Sequence, residues 1–348
     1  MAYASISKPS LHFNTKLYTG TGSENAITGV GFQPDLTWIK NRDTTDWHRL
    51  QDAVRGATKE IYSNAGSAEY TQAQSLKSFN TDGFTLGTLD GVNTSSEDYT
   101  SWNWKAGNSA GSSNSDGSIT STVSANTASG FSIVKYTGTA SNATVGHGLG
   151  VAPKVVLIKD LGGTENWAMY HSSVGATKVM RLNSDIAAFT ASNRWNSTAP
   201  TSSVFNIGTA AENNTSGENY IAYCFAEKKG FSKFGKYVGN GNADGTFIYC
   251  GFKPAYVFTK SMDTSSHWNC FDNKRSPINV VNDYQKLNEA TAEDTNVSDI
   301  QFDFLSNGLK LRGNNDEYNG SSENYIYMCF AAEPLVANVG QSIPATAE

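Results

Sequence analysis

One set of landmark residues occurs three times along this chain of 348 residues. A proline and, six residues later, a lysine recur with separations of 119 and 101 residues, and a Trp and a Tyr follow at nearly the same separations. The register predicts three copies of one unit of roughly 100 residues and argues against one large enzyme core. The landmarks are Pro34, Pro153 and Pro254; Lys40, Lys159 and Lys260; Trp47, Trp167 and Trp268; and Tyr99, Tyr220 and Tyr325.

The longer first step between landmarks indicates an insert. Residues Gly107 through Gly130 are almost wholly Gly, Ser, Asn, Thr and Ala, a composition typical of flexible linkers. The second and third units meet at Lys228-Lys229-Gly230 with almost no linker. The predicted organisation is an N-terminal docking arm (1–12), a first β repeat unit (13–107), a linker (108–130), a second unit (131–229), a third unit (230–334) and a C-terminal tail (335–348).

Each unit carries the pattern of short β-strands. The segment Phe231–Gly239 alternates apolar and polar residues and ends in glycines and asparagines, which predicts a strand followed by a turn. The closing segment Tyr325–Ala331 is continuously apolar and aromatic, so we expect a central strand that is buried on both faces. Helical periodicity is weak throughout. The predicted fold class is all-β, with three tandem antiparallel β-sandwich or jelly-roll-like units.

Composition restricts the class of partner. Charged residues make up 17% of the chain and aromatic residues 11%, a balance typical of β-rich extracellular, lectin-like or virion proteins. The net charge is −6 and no basic stripe is present, which argues against a nucleic-acid partner. The first nine residues have neither a basic nor an apolar signal region. We therefore expect no signal peptide, no membrane insertion and release by lysis.

The four cysteines do not form a metal-binding or redox motif. Cys224 and Cys329 occupy the same position in two units, so each is expected to face its own core as a buried free thiol. Cys250 and Cys270 lie within one unit, and whether they pair is left open.

No motif for nucleophilic, metal or phosphate chemistry is present. Carboxylates such as Asp52 and Asp272 recur as features of the repeat, which is more simply explained by turns or caps than by catalysis. His48, His171 and His267 lie near each unit's Trp, where packing is a simpler interpretation than a metal site. We predict no catalytic residues, no cofactor and no metal.

One aromatic residue does not belong to the repeat. Trp195, preceded by Arg194, lies in a polar segment without apolar neighbours and has no counterpart in the other units. An exposed Trp can stack on a sugar ring or enter a partner's pocket, although a Trp folded back on its own domain fits the pattern equally well. Arg194 and Trp195 are therefore the candidate ligand contacts.

Several segments of the first unit resemble a repeat domain of tailed-phage virion proteins, common in phages of marine and other aquatic bacteria. The resemblance is strong over 13–107 and only patterned over 131–332, where the second unit lacks the Asp-x-Val-Arg-Gly segment. It implies a non-enzymatic virion component with β-rich domains, and it implies no catalytic residues. The segments are Phe13–Gly20, Gly31–Lys40, His48–Gly56, Ser78–Phe84 and Trp102–Gly107.

The leading hypothesis is a structural protein of a tailed-phage virion, made in the host cytoplasm without a signal peptide. It would form an exposed tail fibre or spike, or a capsid decoration, and contact other virion proteins of the tail, connector or capsid. A homo-oligomer is expected, with a trimer as one form. The alternative is a glycan- or receptor-binding adhesin that recognises the host surface, and a polysaccharide depolymerase is the third candidate. The arm would dock to the particle by strand addition, through Tyr3, Ile6, Lys8, Pro9 and Leu11.

Overall fold

The computed structural model describes residues 4–335 and confirms the all-β prediction. Antiparallel strands dominate, with four one-turn helices and one 3₁₀ turn at Pro9–Leu11. Within the segments 13–107, 131–229 and 230–334, here called the first, second and third units, the strands form an inner and an outer sheet.

The first unit is a two-sheet sandwich. Its inner sheet has the order β1-β9-β3-β4, its outer sheet has the order β2-β8-β7, and β5 pairs with β6. The elements are β1 (Phe13–Thr19), β2 (Asn25–Thr28), β3 (Leu36–Asn41), β4 (Arg49–Asp52), β5 (Lys59–Glu60), β6 (Tyr70–Thr71), β7 (Leu76–Asn80), β8 (Gly83–Leu86), α1 (Asp90–Asn93) and β9 (Asp98–Trp104).

The second unit, together with the preceding segment 108–130, has a larger inner sheet, β10-β11-β12-β19-β14-β15, with β13-β18 outside and β16-β17 as a separate pair. Its core strands β12-β19-β14-β15 repeat the order of the first unit. The elements are β10 (Ser112–Asn114), β11 (Ser121–Asn126), β12 (Phe131–Thr137), β13 (Ala143–Gly146), β14 (Val155–Asp160), β15 (Ala168–His171), β16 (Lys178–Val179), β17 (Phe189–Thr190), α2 (Ser192–Trp195), β18 (Val204–Ile207), α3 (Ala211–Asn214) and β19 (Asn219–Phe225).

The third unit has the inner order β20-β27-β22-β23-β24 and the outer order β21-β26-β25. The closing strand is buried from Tyr325 to Ala331, as its continuous apolar sequence predicts. The elements are β20 (Ser232–Val238), β21 (Phe247–Tyr249), β22 (Phe252–Ser261), β23 (Asn269–Asp272), β24 (Gln285–Lys286), β25 (Phe302–Leu305), β26 (Gly308–Leu311), α4 (Asp316–Asn319) and β27 (Asn324–Pro334).

The segment 108–130 is not the flexible linker that its composition predicts. It contains β10 and β11, and β11 pairs with β12 from Thr122 to Asn126. Ile119 forms a parallel bridge with Val145 in β13 and donates its N–H to the carbonyl of Thr144 at 3.0 Å. Strand pairing therefore overrides the low β-propensity of a Gly- and Ser-rich sequence, because the neighbouring sheet supplies both hydrogen-bond partners and apolar contacts.

The inner sheets of all three units face one shared central core. Strand β3 shows the reason, because Leu36 and Trp38 enter the central core while Ile39 faces the first unit's own core. Alternate residues of a strand point to opposite faces, so each inner sheet is buried on both sides. A cavity of only about 10 Å³ lies at the centre, lined by apolar and aromatic side chains from all three units. The units therefore do not bury their inner sheets independently.

A ring of side-chain to main-chain hydrogen bonds joins the three units. Trp167 of the second unit donates to the carbonyl of Tyr62 in the first (2.8 Å), and Trp268 of the third donates to Arg181 in the second (3.1 Å). His48 Nε2 lies 3.1 Å from the carbonyl of Lys286 in the third unit and closes the ring.

The structural counterpart of Trp167 and Trp268 is therefore His48 and not Trp47, the landmark chosen from the sequence. His48 directly precedes β4, just as the two tryptophans directly precede β15 and β23. Trp47 is instead 43% exposed and packs edge-on against Tyr62 at 4.9 Å.

A second set of contacts explains why the second unit lacks the Asp-x-x-Arg segment. Asp272, paired with Arg275 at 2.6 Å, accepts the indole N–H of Trp102 from the first unit at 3.1 Å. In the same way, Asp52, paired with Arg55, accepts the hydroxyl of Tyr223 from the second unit at 2.8 Å.

At the interface between the third and second units, Met328 occupies the position that Trp102 and Tyr223 occupy in the other units, and its side chain has no proton to donate. The second unit there has His171 and Val174 in place of Asp and Arg, and Val174 packs against the central core. The buried ion pair is thus present at the two interfaces whose partner residue can donate a hydrogen bond.

Candidate binding site

The sequence-predicted ligand contact Trp195 is buried. It lies in α2 with 2% of its surface exposed, and its ring packs edge-on against Tyr170 at 5.7 Å. Arg194 is ion-paired with Glu212 at 2.8 Å. In this structure the ring of Trp195 is therefore enclosed against Tyr170 of another strand, which is the arrangement of a Trp folded back on its own domain.

The described part of the N-terminal arm packs on the chain's own body. Ile6 is buried in the central core, and Pro9 is also buried. Lys8 and Leu11 remain exposed, while Tyr3 lies outside the described residues. Ile6 is thus held in the chain's own core, while Leu11 is the exposed apolar residue of the predicted arm; docking through the arm stays a prediction.

The repeated lysines tie down the loops that follow the inner strands. Lys40 Nζ donates to the carbonyls of Asn41 (2.6 Å) and Thr44 (3.0 Å), and Lys159 and Lys260 make the equivalent bonds. Burial lowers the pKa of each of these lysines to about 8. These perturbed groups have structural partners, and they do not line an open cleft.

The buried histidines also have structural roles. His48 Nδ1 accepts the indole N–H of Trp38 at 2.9 Å, so Nε2 carries the proton that bonds to Lys286. Burial, together with the nearby charge of Lys40, holds the pKa of His48 well below its ordinary value. Burial likewise lowers the pKa of His171 to about 4.

The cysteines are free and buried, as predicted for Cys224 and Cys329. Cys270 lies beside Arg275, while Cys250 contacts Cys329, so the open question of a Cys250–Cys270 bond is answered by four free thiols. Residues 4–335 contain no group of three or more His, Cys, Asp or Glu side chains placed to hold a metal ion. Within the same range, no helix has the length and apolar character needed to cross a bilayer.

An open cleft lies between the second and third units and is called here the seam cleft. It has a volume of about 670 Å³. The second unit contributes Lys154, Glu227 and Lys229. The third unit contributes Tyr249 and the first residues of its opening strand, Ser232 and Lys233. The lining residues are Lys154, Glu227, Lys229, Gly230, Ser232, Lys233, Tyr249, Cys250, Gly251, Pro334 and Leu335.

The charge of the seam cleft is positive in a protein of net negative charge. Lys233 and Glu227 form an ion pair at 2.5 Å. Lys154 and Lys229 are exposed, and their main chains are fixed by bonds from Lys154 N–H to the carbonyl of Phe225 and from Ser5 N–H to the carbonyl of Lys229. Among the described lining residues, neither Lys154 nor Lys229 has a carboxylate partner. Hydrogen bonds anchor the backbone that carries both ammonium groups.

Lys154 shows how this seam differs from its counterpart in the first unit. The equivalent residue is Asp35, since both follow the landmark proline and both donate their N–H to the last residue of a central strand. The carboxylate of Asp35 accepts the N–H groups of Ala106 (2.7 Å) and Asn108 (3.0 Å) and so holds the chain that leaves the first unit. Burial raises the pKa of Asp35 to about 6.

An aromatic strand borders the seam cleft. Phe247 and Tyr249 alternate with the buried Ile248 on β21, and their side chains are 43% and 59% exposed. Register places them opposite Lys310 and Gly308. The other two units have small residues at these positions: Ala26 and Thr28 in the first, and Thr144 and Gly146 in the second. The exposed aromatic pair is thus specific to the third unit.

The ring of Tyr249 leans over Gly251. The position of a Cβ at Gly251 would lie 3.6 Å from the Tyr249 hydroxyl oxygen and 3.7 Å from the nearest ring atom, Cζ. Gly251 has φ +79°, which favours glycine, and this turn therefore sets the ring at the rim of the cleft. Sequence reasoning missed Tyr249 because an apolar-aromatic run, Phe247–Tyr249, looks like an ordinary buried strand; only comparison with Thr28 and Gly146 would have singled it out.

A comparison with curated proteins gave no match. A family profile described as "Domain of unknown function (DUF7483)" matches residues 8–334, which includes all three units and the segment 108–130. Since the match covers nearly the whole chain, this protein belongs to the DUF7483 family.

Proposed function

We propose that the protein is a non-enzymatic structural protein of a tailed-phage virion, displayed on the particle as a tail appendage or a capsid decoration. The observation that carries the proposal is the closed ring of inter-unit bonds through His48, Trp167 and Trp268. The residues that recur in the three units are used to close this ring and to fill the central core.

This use of the repeated residues favours a rigid building block over a catalyst. The recurring ion pairs, Asp52–Arg55 and Asp272–Arg275, are fully buried between units. An acid or base must reach the proton that it transfers, and groups enclosed by neighbouring units meet no substrate. The resemblance of residues 13–107 to virion repeat domains supports the particle as the place of assembly.

The ring also bears on the oligomeric state. The units already bury their inner sheets against one another in one chain, so a homotrimer is not needed to enclose those sheets. The expected homo-oligomer stays a prediction, and any such assembly would use the outer sheets. Multi-angle light scattering of the purified chain measures it directly.

The test of the proposal is location on the particle. Purified virions of the phage that encodes this chain would be analysed by mass spectrometry, and gold-labelled antibody against the chain would be imaged by electron microscopy. We expect the chain at a stoichiometric copy number and gold at regular positions on the tail or the capsid. Virions that lack the chain, while lysates of infected cells contain it, would overturn the proposal.

A further inference from the structure

We propose that the seam cleft binds an anionic saccharide, with Tyr249 as the stacking platform and Lys154 and Lys229 as the groups that bind its acidic substituents. This inference is independent of the virion role, because binding is a property of the isolated chain. The proposed carbohydrate site is thus the open seam cleft and not the buried Trp195.

The first argument is the exposure of Tyr249 beside a cavity. Tyr249 is 59% exposed, and covering the apolar face of its ring with a ligand would remove that surface from water, which is favourable. The backbone at Gly251 supports one part of the ring and leaves the rest toward solvent and the cleft. Sugar rings present C–H faces that pack on such a surface, while their hydroxyls keep hydrogen bonds to polar groups at the rim.

The second argument is charge. Lys154 and Lys229 are far apart along the second unit and both line one cleft, whereas Glu227, the only carboxylate among the described lining residues, is paired with Lys233. Ammonium groups are donors and attract carboxylate or sulfate groups. A neutral sugar would use the tyrosine but would leave both lysines without a partner, so an acidic saccharide fits the lining better.

The volume of the seam cleft and its access to solvent also suit a saccharide. A volume of about 670 Å³ lies within the range of roughly 300–1,000 Å³ typical of ligand sites. Cys250, Pro334 and Leu335 add apolar surface to a lining that also carries three lysines and one glutamate. A lining that combines charged and apolar groups suits a ligand with acidic substituents and an apolar stacking face.

The experiment begins with the full-length chain on an array of carboxylated and sulfated saccharides, each beside its neutral counterpart. Sialyllactose with lactose, and tetragalacturonate with its full methyl ester, are matched pairs. The best acidic saccharide is then titrated by calorimetry. We expect acidic members to bind, neutral members to bind at least about tenfold more weakly, and affinity to fall as salt rises from about 50 to 500 mM.

Variants identify the site. Tyr249→Ala should lower affinity about tenfold or more, whereas Tyr249→Phe keeps the ring and should stay within about threefold. Lys154→Gln and Lys229→Gln should each lower affinity about threefold to tenfold and reduce the salt dependence. The matched controls are Tyr70→Ala, an exposed tyrosine of the first unit, and Lys178→Gln, an exposed lysine of the second, and both should leave affinity unchanged.

Each of the following outcomes would overturn the proposal. They are an array without acidic hits, equal affinity for the acidic and neutral members of each pair, and saccharide binding that Tyr249→Ala leaves intact in a variant whose melting temperature matches the wild type. Binding of tetraglutamate with no saccharide binding would also overturn it, since the cleft would then be a site for acidic peptide.

Discussion

Single side chains at the unit interfaces differ in chemistry according to the residue that faces them. The pKa of Asp272 is held below its usual range, because Arg275 and several hydrogen bonds outweigh the burial that disfavours the charge. Arg275 also contacts the ring of Trp102 at 5.5 Å and Glu293 at 3.0 Å. This enclosed charge cluster makes the Asp272 position especially sensitive to change.

Asp272→Asn is therefore expected to destabilise the protein strongly. The substitution leaves the Arg275 guanidinium buried with less negative charge, and removing one member of a buried pair costs about 3–5 kcal/mol. Asp244→Asn is the matched control, because Asp244 is largely exposed and water screens its ion pair with Lys310, so we expect little change in stability. The free energy of unfolding in urea measures both.

A triple variant separates charge from packing at this interface. Trp102→Met with Asp272→His and Arg275→Val installs the residue types that meet between the third and second units. Because it removes donor, acceptor and cation together, we expect it to cost less than the sum of the three single variants. Additive losses would show that the interface chemistry is not exchangeable between units.

His48 gives the protein a component of acid sensitivity. Its pKa in the folded chain is well below the ordinary value of 6.5, so below that pH the unfolded chain binds a proton that the folded chain does not. Stability from this group is thus complete above pH 6.5 and declines as the pH falls toward the folded pKa, with a limiting slope of about 1.4 kcal/mol per pH unit.

The double variant Trp38→Phe with His48→Trp should reduce this decline. It copies the third unit, where Phe258 and Trp268 pack edge-on at 5.6 Å and the indole donates to the neighbouring unit. At pH 8, the free energies of unfolding of wild type and variant differ only through packing. Between pH 6.5 and 5, they also report the protonation of His48. Equal pH slopes in wild type and variant would assign the acid sensitivity to other groups such as His171.

At the scale of elements, the segment 108–130 is where composition and structure disagree most. Hydrogen exchange followed by mass spectrometry tests whether β11 is a true strand. We expect the amides of Ser121–Asn126 to exchange at least about a hundredfold more slowly than an unstructured chain, and at rates comparable to β12, because they pair in one sheet. Exchange of this stretch at the rate of an unprotected peptide would restore the linker interpretation.

Sequence patterns predicted the strands that carry their own signal, and missed the contacts that depend on distant residues. Alternation and continuous apolar runs are local, so the all-β class and the buried strand from Tyr325 to Ala331 could be predicted. Trp195 looked exposed because its polar neighbours are local while Tyr170 is not. His48 was overlooked because the adjacent Trp47 matched the residue type of Trp167, although its spacing was one residue off.

The candidate site was still harder to predict. Tyr249 and Lys154 are distant in sequence, and only the closing of the second unit against the third brings them to one cleft. Their significance lies in departures from the repeat, since Thr28 and Asp35 occupy the equivalent places in the first unit. A sequence comparison among units would find these departures only with the structural register in hand.

At the scale of the whole molecule, the shared core makes the three units one cooperative body. Side chains such as Trp104, Phe225 and Phe330 come from different units and pack at ring distances of 5.8–6.3 Å. Isolating a unit would expose these rings to water, each with a hydrophobic cost of about 2–3 kcal/mol. The sandwich interior of a single unit is small by comparison.

We therefore expect one thermal transition for the full chain, with calorimetric and van't Hoff enthalpies that agree within error. The isolated third unit, 230–334, should aggregate or bind a hydrophobic dye, because its inner sheet loses both neighbours. A version with Phe258→Ser and Met328→Ser, two central-core positions of that unit, should be more soluble as an isolated fragment yet destabilise the full chain. Separate transitions for the three units, or a soluble folded third unit without these substitutions, would mean that each sandwich is self-sufficient and that the ring of inter-unit bonds contributes little to stability.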